Sequence, residues 1–158
     1  MISLQHKFKQ SFEIHSLEET KKLATTLSKF TFSGVSIGFI GQLGVGKTEF
    51  IRHLVKEKGV EEQISSPTFV LEQEYFAKSL GRENVVVSHW DLYRVSDEGV
   101  FEEISHIIND GSSILLIEWV DRLPNLFDRL SYIVEIKNPD FSESSREVVI
   151  YSKENLEL

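Results

Sequence analysis

The sequence predicts a three-layer α/β/α sandwich, with helices on both faces of a mixed parallel and antiparallel sheet. Segments with the apolar spacing of strands alternate along the chain with segments of helical spacing, the pattern of this fold class. Residues 114–117 are continuously apolar, as expected of a strand buried on both faces. A glycine-rich stretch at residues 41–48 lies between a predicted strand and a predicted helix, where sheets of this class bind ligands. We expect one domain over residues 1–158, because this length is ordinary for one hydrophobic core.

The chain begins with a predicted strand and a capped helix. Residues 8–14 alternate apolar and polar side chains, which favours a short strand. Ser16 and Glu19 stand three positions apart and form a capping box ahead of apolar residues at helical spacing. We therefore predict a helix from there to about residue 29, packed beneath the sheet.

Residues 41–48 match the phosphate-binding pattern of a glycine, four free positions and then Gly-Lys-Thr. Residues 35–40 before them have the composition of a buried strand, and residues 49–55 after them carry apolar side chains at helical spacing. The loop is therefore predicted between a strand and a helix, which is the context that the pattern requires. The alternative is a glycine-rich turn that leads into an ordinary helix, and it does not require this combination of strand, loop pattern and helix.

The residue types in the loop fit phosphate binding. Gly41, Gly44 and Gly46 let the backbone turn tightly, so that consecutive N–H groups can face an anion. The following helix directs its free N–H groups and positive dipole end to the same place. Lys47 adds a positive charge for the outer phosphates, and the hydroxyl of Thr48 is suited to hold Mg²⁺.

The second half of the chain supplies the remaining strands and one further helix. Gly59 is the predicted end of the loop helix, and Pro67 prevents a helix in the segment that follows. The other elements are a hairpin of strands at residues 69–76 and 84–90 with a turn at residues 78–82, a helix capped by Ser96, Asp97 and Glu98 and ended by Gly111, a strand at residues 113–117, a short helix at residues 123–130, and strands at residues 131–137 and 146–152 with a turn that starts at residues 138–140.

Two carboxylates come directly after apolar strands. Asp91 follows the strand at residues 84–90, and Glu118 follows the run at residues 114–117. A magnesium–nucleotide site needs at least one such group to hold the metal or its waters, while the other can orient a nucleophile. Taken alone, either residue could also be a solvated carboxylate at a strand end.

Composition excludes several classes of function. The chain has no cysteine, which excludes disulfides, thiolate catalysis and cysteine metal sites. The formal net charge is −8, from 25 acidic and 17 basic side chains, so extended contact with a nucleic-acid backbone is disfavoured. There is no apolar run long enough to span a bilayer and no signal-peptide core, so we expect a cytoplasmic location without membrane contact.

Four stretches of the chain match the motifs of a known family in order and spacing: residues 41–48, Ser66-Pro67-Thr68-Phe69, His89-Trp90-Asp91-Leu92-Tyr93-Arg94 and Ile117-Glu118-Trp119. On these stretches the chain resembles the bacterial TsaE family, also called YjeE, and the agreement extends along nearly the whole chain. The resemblance implies a P-loop NTPase fold and an ATPase that cooperates with TsaB and TsaD. The implied reaction is threonylcarbamoylation of the adenosine beside the anticodon in tRNAs that read codons beginning with adenosine.

The resemblance also implies roles for individual residues. It assigns Mg²⁺ to Thr48 and Glu118, with Asp91 as a second acidic group, and it puts Thr68 in a loop that senses the outer phosphate. Asp91, Lys47 and Thr68 are the expected catalytic residues. The residues implied to bind ATP are Gly41, Gln42, Leu43, Gly44, Val45, Gly46, Lys47, Thr48 and Glu49 of the loop, together with Ser16, Thr20 and Arg146.

Some of these assignments have alternatives. Arg146 could be a hairpin arginine, and the start of the first helix could be only a cap. The roles of the histidine, tyrosine and arginine in the stretch at residues 89–94 stay open between the site, a buried hydrogen-bonded histidine and a structural ion pair. Gln42, Val45 and Glu49 depart from the acidic, smaller and hydroxyl residues usual in the family. Gln42 cannot act as a base, so we expect slow turnover.

Two rival enzyme classes fit less well. A small-molecule kinase would need an arginine-rich lid, and a GTPase would need an Asn-Lys-x-Asp stretch, and the sequence has neither. A nucleotide-gated interaction module remains an alternative to a true ATPase. Since the protein is acidic, tRNA is expected to be reached only through partners. The candidate contact surface is residues 65–69 together with Trp119 and the segment that follows it.

Overall fold

The computed structural model describes residue 2 and residues 5–78, 84–95, 98–139 and 145–158. Two short 3-10 helices, Val120–Arg122 and Pro124–Arg129, follow the fifth strand. Strands and helices occur in the order β1 (Phe8–Ile14), α1 (Leu17–Ser28), β2 (Ser36–Ile40), α2 (Lys47–Lys56), β3 (Glu72–Ala77), β4 (Val85–Asp91), α3 (Glu98–Asp110), β5 (Ser113–Glu118), β6 (Tyr132–Lys137) and β7 (Arg146–Ser152).

The seven strands form one mixed sheet in the order β1-β7-β6-β2-β5-β4-β3. Strand β2 pairs in parallel with β5 and β6, and β4 pairs in parallel with β5. The three remaining pairs, β1–β7, β6–β7 and β3–β4, are antiparallel, so the predicted hairpin is confirmed. The carboxyl ends of β2, β4 and β5 therefore meet at one edge, where Asp91 and Glu118 are register partners.

Helices cover both faces of the sheet, which confirms the three predicted layers. Helices α1 and α2 pack on one face, and α3 packs with the 3-10 segments on the other. Strand β5 shows why its sequence is continuously apolar. Ile114 and Leu116 belong to the core beneath α1 and α2, whereas Leu115 and Ile117 belong to the opposite core.

Helix α1 begins with the predicted capping box. The backbone N–H of Glu19 donates to Ser16 Oγ over 3.2 Å, and the Glu19 carboxylate accepts from the N–H of His15 over 2.7 Å. This cap fixes the first turn of α1 beside the end of β1. Within the described ranges, every helix is too short or too polar to cross a membrane.

The hairpin begins later than the sequence predicts. The expected strand at residues 69–76 starts only at Glu72, because the N–H groups of Val70 and Leu71 both donate to the carbonyl of Pro67. This turn leaves Phe69 85% exposed and gives Leu71 a left-handed φ of 72°. Apolar composition favoured a strand there, but the turn after Pro67 takes those N–H groups out of the ladder.

Three other predictions are refined or lie outside the described residues. The expected short helix at residues 123–130 is a 3-10 helix, and α2 is capped by Glu57, with Gly59 at φ 81° two residues later. Residues 79–82 of the expected turn, the expected cap residues Ser96 and Asp97, and residue 140 lie outside the described ranges.

Candidate functional site

The glycine-rich loop has the backbone that the sequence predicts, between the end of β2 and the start of α2. Gly41, Gly44 and Gly46 have φ of 152°, 73° and 117°, values that favour glycine. At Gly41 a Cβ would also lie 2.5 Å from the carbonyl oxygen of Ile136. Gly46 is the N-cap of α2 and provides no side-chain cap, so the first N–H groups of α2 remain available to an anion.

Lys47 lies at the base of this loop and is 96% buried. Its Nζ donates to the carbonyl oxygens of Gly41 (2.6 Å) and Gln42 (2.9 Å) and lies 3.8 Å from the centroid of the Trp119 ring. Burial lowers the pKa of Lys47, although nearby carboxylates, Glu118 first, act in the opposite direction. The ammonium group is therefore desolvated within the glycine-rich loop, where two backbone carbonyl groups hold it.

Glu118 ends β5 as a buried carboxylate with two side-chain partners. The hydroxyl of Thr48 lies 2.8 Å from its Oε1 and 3.0 Å from its Oε2. His89 Nε2 lies 2.9 Å from Oε1. The two residues that the sequence predicts beside a metal, Thr48 and Glu118, are thus in direct contact.

Asp91 joins the end of β4 to the loop at residues 65–68. Its Oδ2 accepts hydrogen bonds from the hydroxyls of Ser66 and of Thr68, the latter over 2.7 Å. Its Oδ1 accepts from the backbone N–H of Tyr93 over 2.9 Å. The predicted phosphate-sensing residue Thr68 is therefore bound to the second carboxylate of the site.

Two cavities adjoin at the glycine-rich loop and share Gly44, Gly46 and Glu49. The first has a volume of about 270 Å³ and contains the carboxylates and hydroxyls just described, while the second has a volume of about 440 Å³ and lies between the loop, α1 and β7. The first is lined further by Leu43, Lys47, Thr48, Ser66, Thr68, Asp91, Tyr93, Glu118 and Trp119, and the second by Ile14, His15, Ser16, Leu17, Thr20, Val45, Ile136, Arg146 and Val148.

The cavities bring together all but two of the predicted site residues. Gly41 and Gln42 line neither cavity and instead supply the carbonyl groups that hold Lys47. Arg146 lines the larger cavity, and its Nε also donates to the carbonyl of Val45 over 3.1 Å. Arg146 is therefore close to the glycine-rich loop, although it comes from the last strand. Glu49 bonds to Arg52 of its own helix at the junction of the two cavities.

Aromatic residues at the mouth of the smaller cavity make contacts within the protein that the sequence does not predict. The rings of Tyr93 and Trp119 are 4.9 Å apart, and the guanidinium of Arg122 lies about 6 Å from each. Arg94 packs on Phe69 at 4.7 Å. Trp119 has a left-handed φ of 58°, which turns the chain sharply after Glu118 and cannot be inferred from residue type.

The donor atoms fit Mg²⁺ bound together with a phosphate chain. Thr48, Glu118 and Asp91 offer hydroxyl and carboxylate oxygens, which hard cations prefer. Among the described residues there is no group of three or more His, Cys, Asp or Glu side chains that could hold a metal ion alone. Such a site suits an ion that takes its remaining ligands from phosphates and water.

Comparison with known proteins gives one consistent family. The family model of threonylcarbamoyl adenosine biosynthesis protein TsaE matches residues 14–148. The chain is 36% identical over 143 residues to the tRNA threonylcarbamoyladenosine biosynthesis protein TsaE of Aquifex aeolicus, which covers 89% of this chain and 94% of that protein. It is 32% identical over 143 residues to the protein of the same name from Rickettsia conorii, which covers 90% and 79% of the two chains.

A solved structure also has this fold. The crystal structure of Bacillus subtilis YdiB aligns with a TM-score of 0.69 and 21% identity, over 98% of this chain and 89% of that chain. The predicted fold class, an α/β sandwich of the P-loop NTPase type, is thereby confirmed.

Proposed function

Since this chain belongs to the TsaE family, we propose that it binds and hydrolyses Mg-ATP in the biosynthesis of threonylcarbamoyladenosine in tRNA. The observation that carries the proposal is the pair of cavities joined at a glycine-rich loop. One cavity is lined by an ammonium, three carboxylates and hydroxyls, and the other has apolar walls beside Arg146. A nucleoside triphosphate has the same division into a charged chain and a flat base.

The phosphate chain lies on the glycine-rich loop in this proposal. The N–H groups of α2 and the Lys47 ammonium stabilise its negative charge. The base and ribose occupy the larger cavity near Ser16, Thr20 and Arg146. Apolar side chains of that cavity, Ile136 among them, provide a surface for the base.

Thr48 and Glu118 are the proposed metal-side residues, with Asp91 beside them. When bound, Mg²⁺ neutralises charge that develops on the phosphate oxygens. Glu118 keeps its orientation through hydrogen bonds, and the Thr48 hydroxyl directs its proton to that carboxylate.

Asp91 is proposed to position the attacking water or the waters of the metal. Its Oδ2 already accepts two hydroxyl hydrogen bonds, which fix the orientation of the carboxylate and favour a positioning role. Thr68 links this carboxylate to the loop at residues 65–68, so occupancy of the outer phosphate position can change the loop conformation. Gln42 lacks an ionisable group, and we expect slow turnover in the isolated protein.

We further propose that the nucleotide state is recognised by TsaB and TsaD, and that tRNA is contacted only through them. Phe69 is 85% exposed, Val70 66% and Leu43 75%, and the last of these lines the smaller cavity, so apolar surface surrounds the phosphate-sensing loop. The net charge of −8 disfavours direct binding of tRNA.

One experiment separates the proposed ATPase from its alternatives. ATP hydrolysis is measured with this protein alone, with TsaB and TsaD, and with tRNA added. An ATPase of this pathway shows slow hydrolysis that the two proteins stimulate. ATP binding without hydrolysis under every condition would favour a nucleotide-gated module, and phosphate transfer to a small molecule would favour a kinase.

Partner recognition is tested by capture experiments at physiological salt. TsaB–TsaD should bind in a manner that depends on ATP and on Thr68, and tRNA alone should not be retained. Tight tRNA capture by the isolated protein, or partner binding that is indifferent to both ATP and substitution of Thr68, would contradict this part of the proposal.

A further inference from the structure

His89 is a fully buried polar side chain at the point where a row of apolar core residues reaches the candidate site. On the face of β4 and β5 beneath α1 and α2, Val87 and Leu116 belong to the hydrophobic core. Two residues further along each strand, on the same face, the side chains are those of His89 and Glu118. Their exposed fractions are 0% and 2%. Apolar side chains would continue this row at lower desolvation cost, so the polar pair needs a reason other than packing.

The geometry defines which proton lies between the two residues. His89 Nε2 is 2.9 Å from Glu118 Oε1. An ionised carboxylate only accepts, so Nε2 carries the hydrogen and donates it. Nδ1 has no hydrogen-bond partner among the described residues, and in this tautomer it is an acceptor. A buried acceptor without a partner is tolerated more often than a buried donor without one.

We propose that His89 is a positioning residue that fixes the rotation of the Glu118 carboxylate toward Thr48 and Mg²⁺. The glutamate side chain is flexible, and Thr48 is its other side-chain partner in the site. With the His89 donor fixed on Oε1, the carboxylate plane is set before any metal arrives. The ring itself is held in the interior, with its centroid 6.3 Å from that of Tyr75.

This assignment rests on the proposed function, because it gives His89 a role only if Thr48 and Glu118 serve a magnesium–nucleotide complex. Outer partners of metal-side ligands typically contribute about 10- to 100-fold to metal affinity. Loss of His89 is therefore expected to weaken the dependence of nucleotide binding on Mg²⁺ beyond any effect on stability.

The test compares ADP affinity by calorimetry with excess Mg²⁺ and with EDTA. His89→Leu removes the donor at similar volume and should reduce the gain in affinity from Mg²⁺ by about tenfold or more, with EDTA values unchanged. His89→Gln, whose amide can donate to Oε1, should recover a large part of that gain. If His89→Leu does not fold, His89→Asn carries the same prediction, because its shorter amide does not reach Oε1.

The matched control is His6→Leu, which removes a second buried histidine. His6 Nε2 lies 3.1 Å from the carbonyl of Leu130, away from the glycine-rich loop. This variant should lose thermal stability but keep the wild-type effect of Mg²⁺ on ADP affinity.

Three outcomes count against the assignment in distinguishable ways. A wild-type Mg²⁺ effect in His89→Leu, or in His89→Asn where the first variant does not fold, refutes the positioning role alone. A loss in His89→Gln as large as in His89→Leu shows that the donated hydrogen bond is not the cause. Absence of any Mg²⁺-dependent nucleotide binding in the wild-type protein overturns the proposed function itself, and the role of His89 with it.

Discussion

Replacement of Lys47 by methionine should leave the nucleotide-free protein folded but weaken its affinity for ATP. Methionine has a side chain of similar length but no charge, so it can occupy the same buried position. The ammonium donates to Gly41 and Gln42 and packs on Trp119. Losing these contacts leaves two carbonyl groups without their donor, at about 1–3 kcal/mol each.

The opposing contribution comes from desolvation. Lys47 is 96% buried, and taking an ion out of water costs several kcal/mol in a protein interior. Removal of that cost offsets the lost hydrogen bonds, so we expect the free energy of unfolding to change by no more than about 2 kcal/mol. No such offset exists for the bound state, because a charge-assisted hydrogen bond to phosphate contributes about 1.5–3 kcal/mol, or roughly 10- to 150-fold in affinity.

Thermal and urea unfolding with and without Mg-ATP measure both quantities. At a ligand concentration of about 100 times the wild-type dissociation constant, ATP adds about 2.7 kcal/mol to wild-type stability. If affinity falls about 100-fold, the same concentration adds only about 0.4 kcal/mol to Lys47→Met. Lys56→Met, at an exposed position in the last turn of α2, is the control and should respond like wild type. Equal stabilisation of Lys47→Met and wild type by ATP would refute the reasoning.

Three further predictions concern turnover, pH and packing. Asp91→Asn should reduce ATP turnover by about tenfold or more with nucleotide affinity changed less than about threefold, and an equal loss of both would contradict a positioning role. Burial and, second, a hydrogen bond to a carboxylate raise the pKa of Tyr151 from 10.0 to about 12. The stability that the neutral phenol contributes below pH 10 is therefore lost as the pH rises toward 12. Urea unfolding at about pH 9 and about pH 11.5 should show a smaller alkaline loss in Tyr151→Phe, and an unchanged loss would exclude this group as a cause. Gly38→Ala puts a Cβ 2.6 Å from Val120 and 2.7 Å from Leu130. The free energy of unfolding should therefore fall by about 1–3 kcal/mol, and a change below about 0.5 kcal/mol would contradict the expected overpacking.

The position and backbone of the glycine-rich loop could be predicted from the sequence because they depend on local residue types. The glycines, Lys47 and Thr48 are adjacent in the chain, and only one strand and one helix are needed to place them. The contact of Thr48 with Glu118 could also be anticipated, since parallel strands present their carboxyl ends at one edge. The turn at Leu71 and the left-handed Trp119 could not, because side-chain type gave no indication of those backbone angles.

Contacts between residues that are distant along the chain were harder to predict from the sequence. Arg146 lies beside Val45 only because β7 runs between β1 and β6, and this strand order has no local sign in the sequence. Only the family resemblance predicted that Arg146 lies near the glycine-rich loop. The contact of the Lys47 ammonium with the Trp119 ring likewise joins two residues that are far apart along the chain.

Strand β1 can pair with β7 only after the residues between them, 15–145, have been synthesised. At about 5–20 residues per second, roughly 7–26 s of translation separate the emergence of the two strands. During that interval Phe8 and Phe12 are on an unpaired segment whose charged neighbours, such as Lys9 and Glu13, disfavour association with other nascent chains. The glycine-rich loop leaves the ribosome before the wall with Arg146 does, so the larger cavity is completed only after β7 has been synthesised.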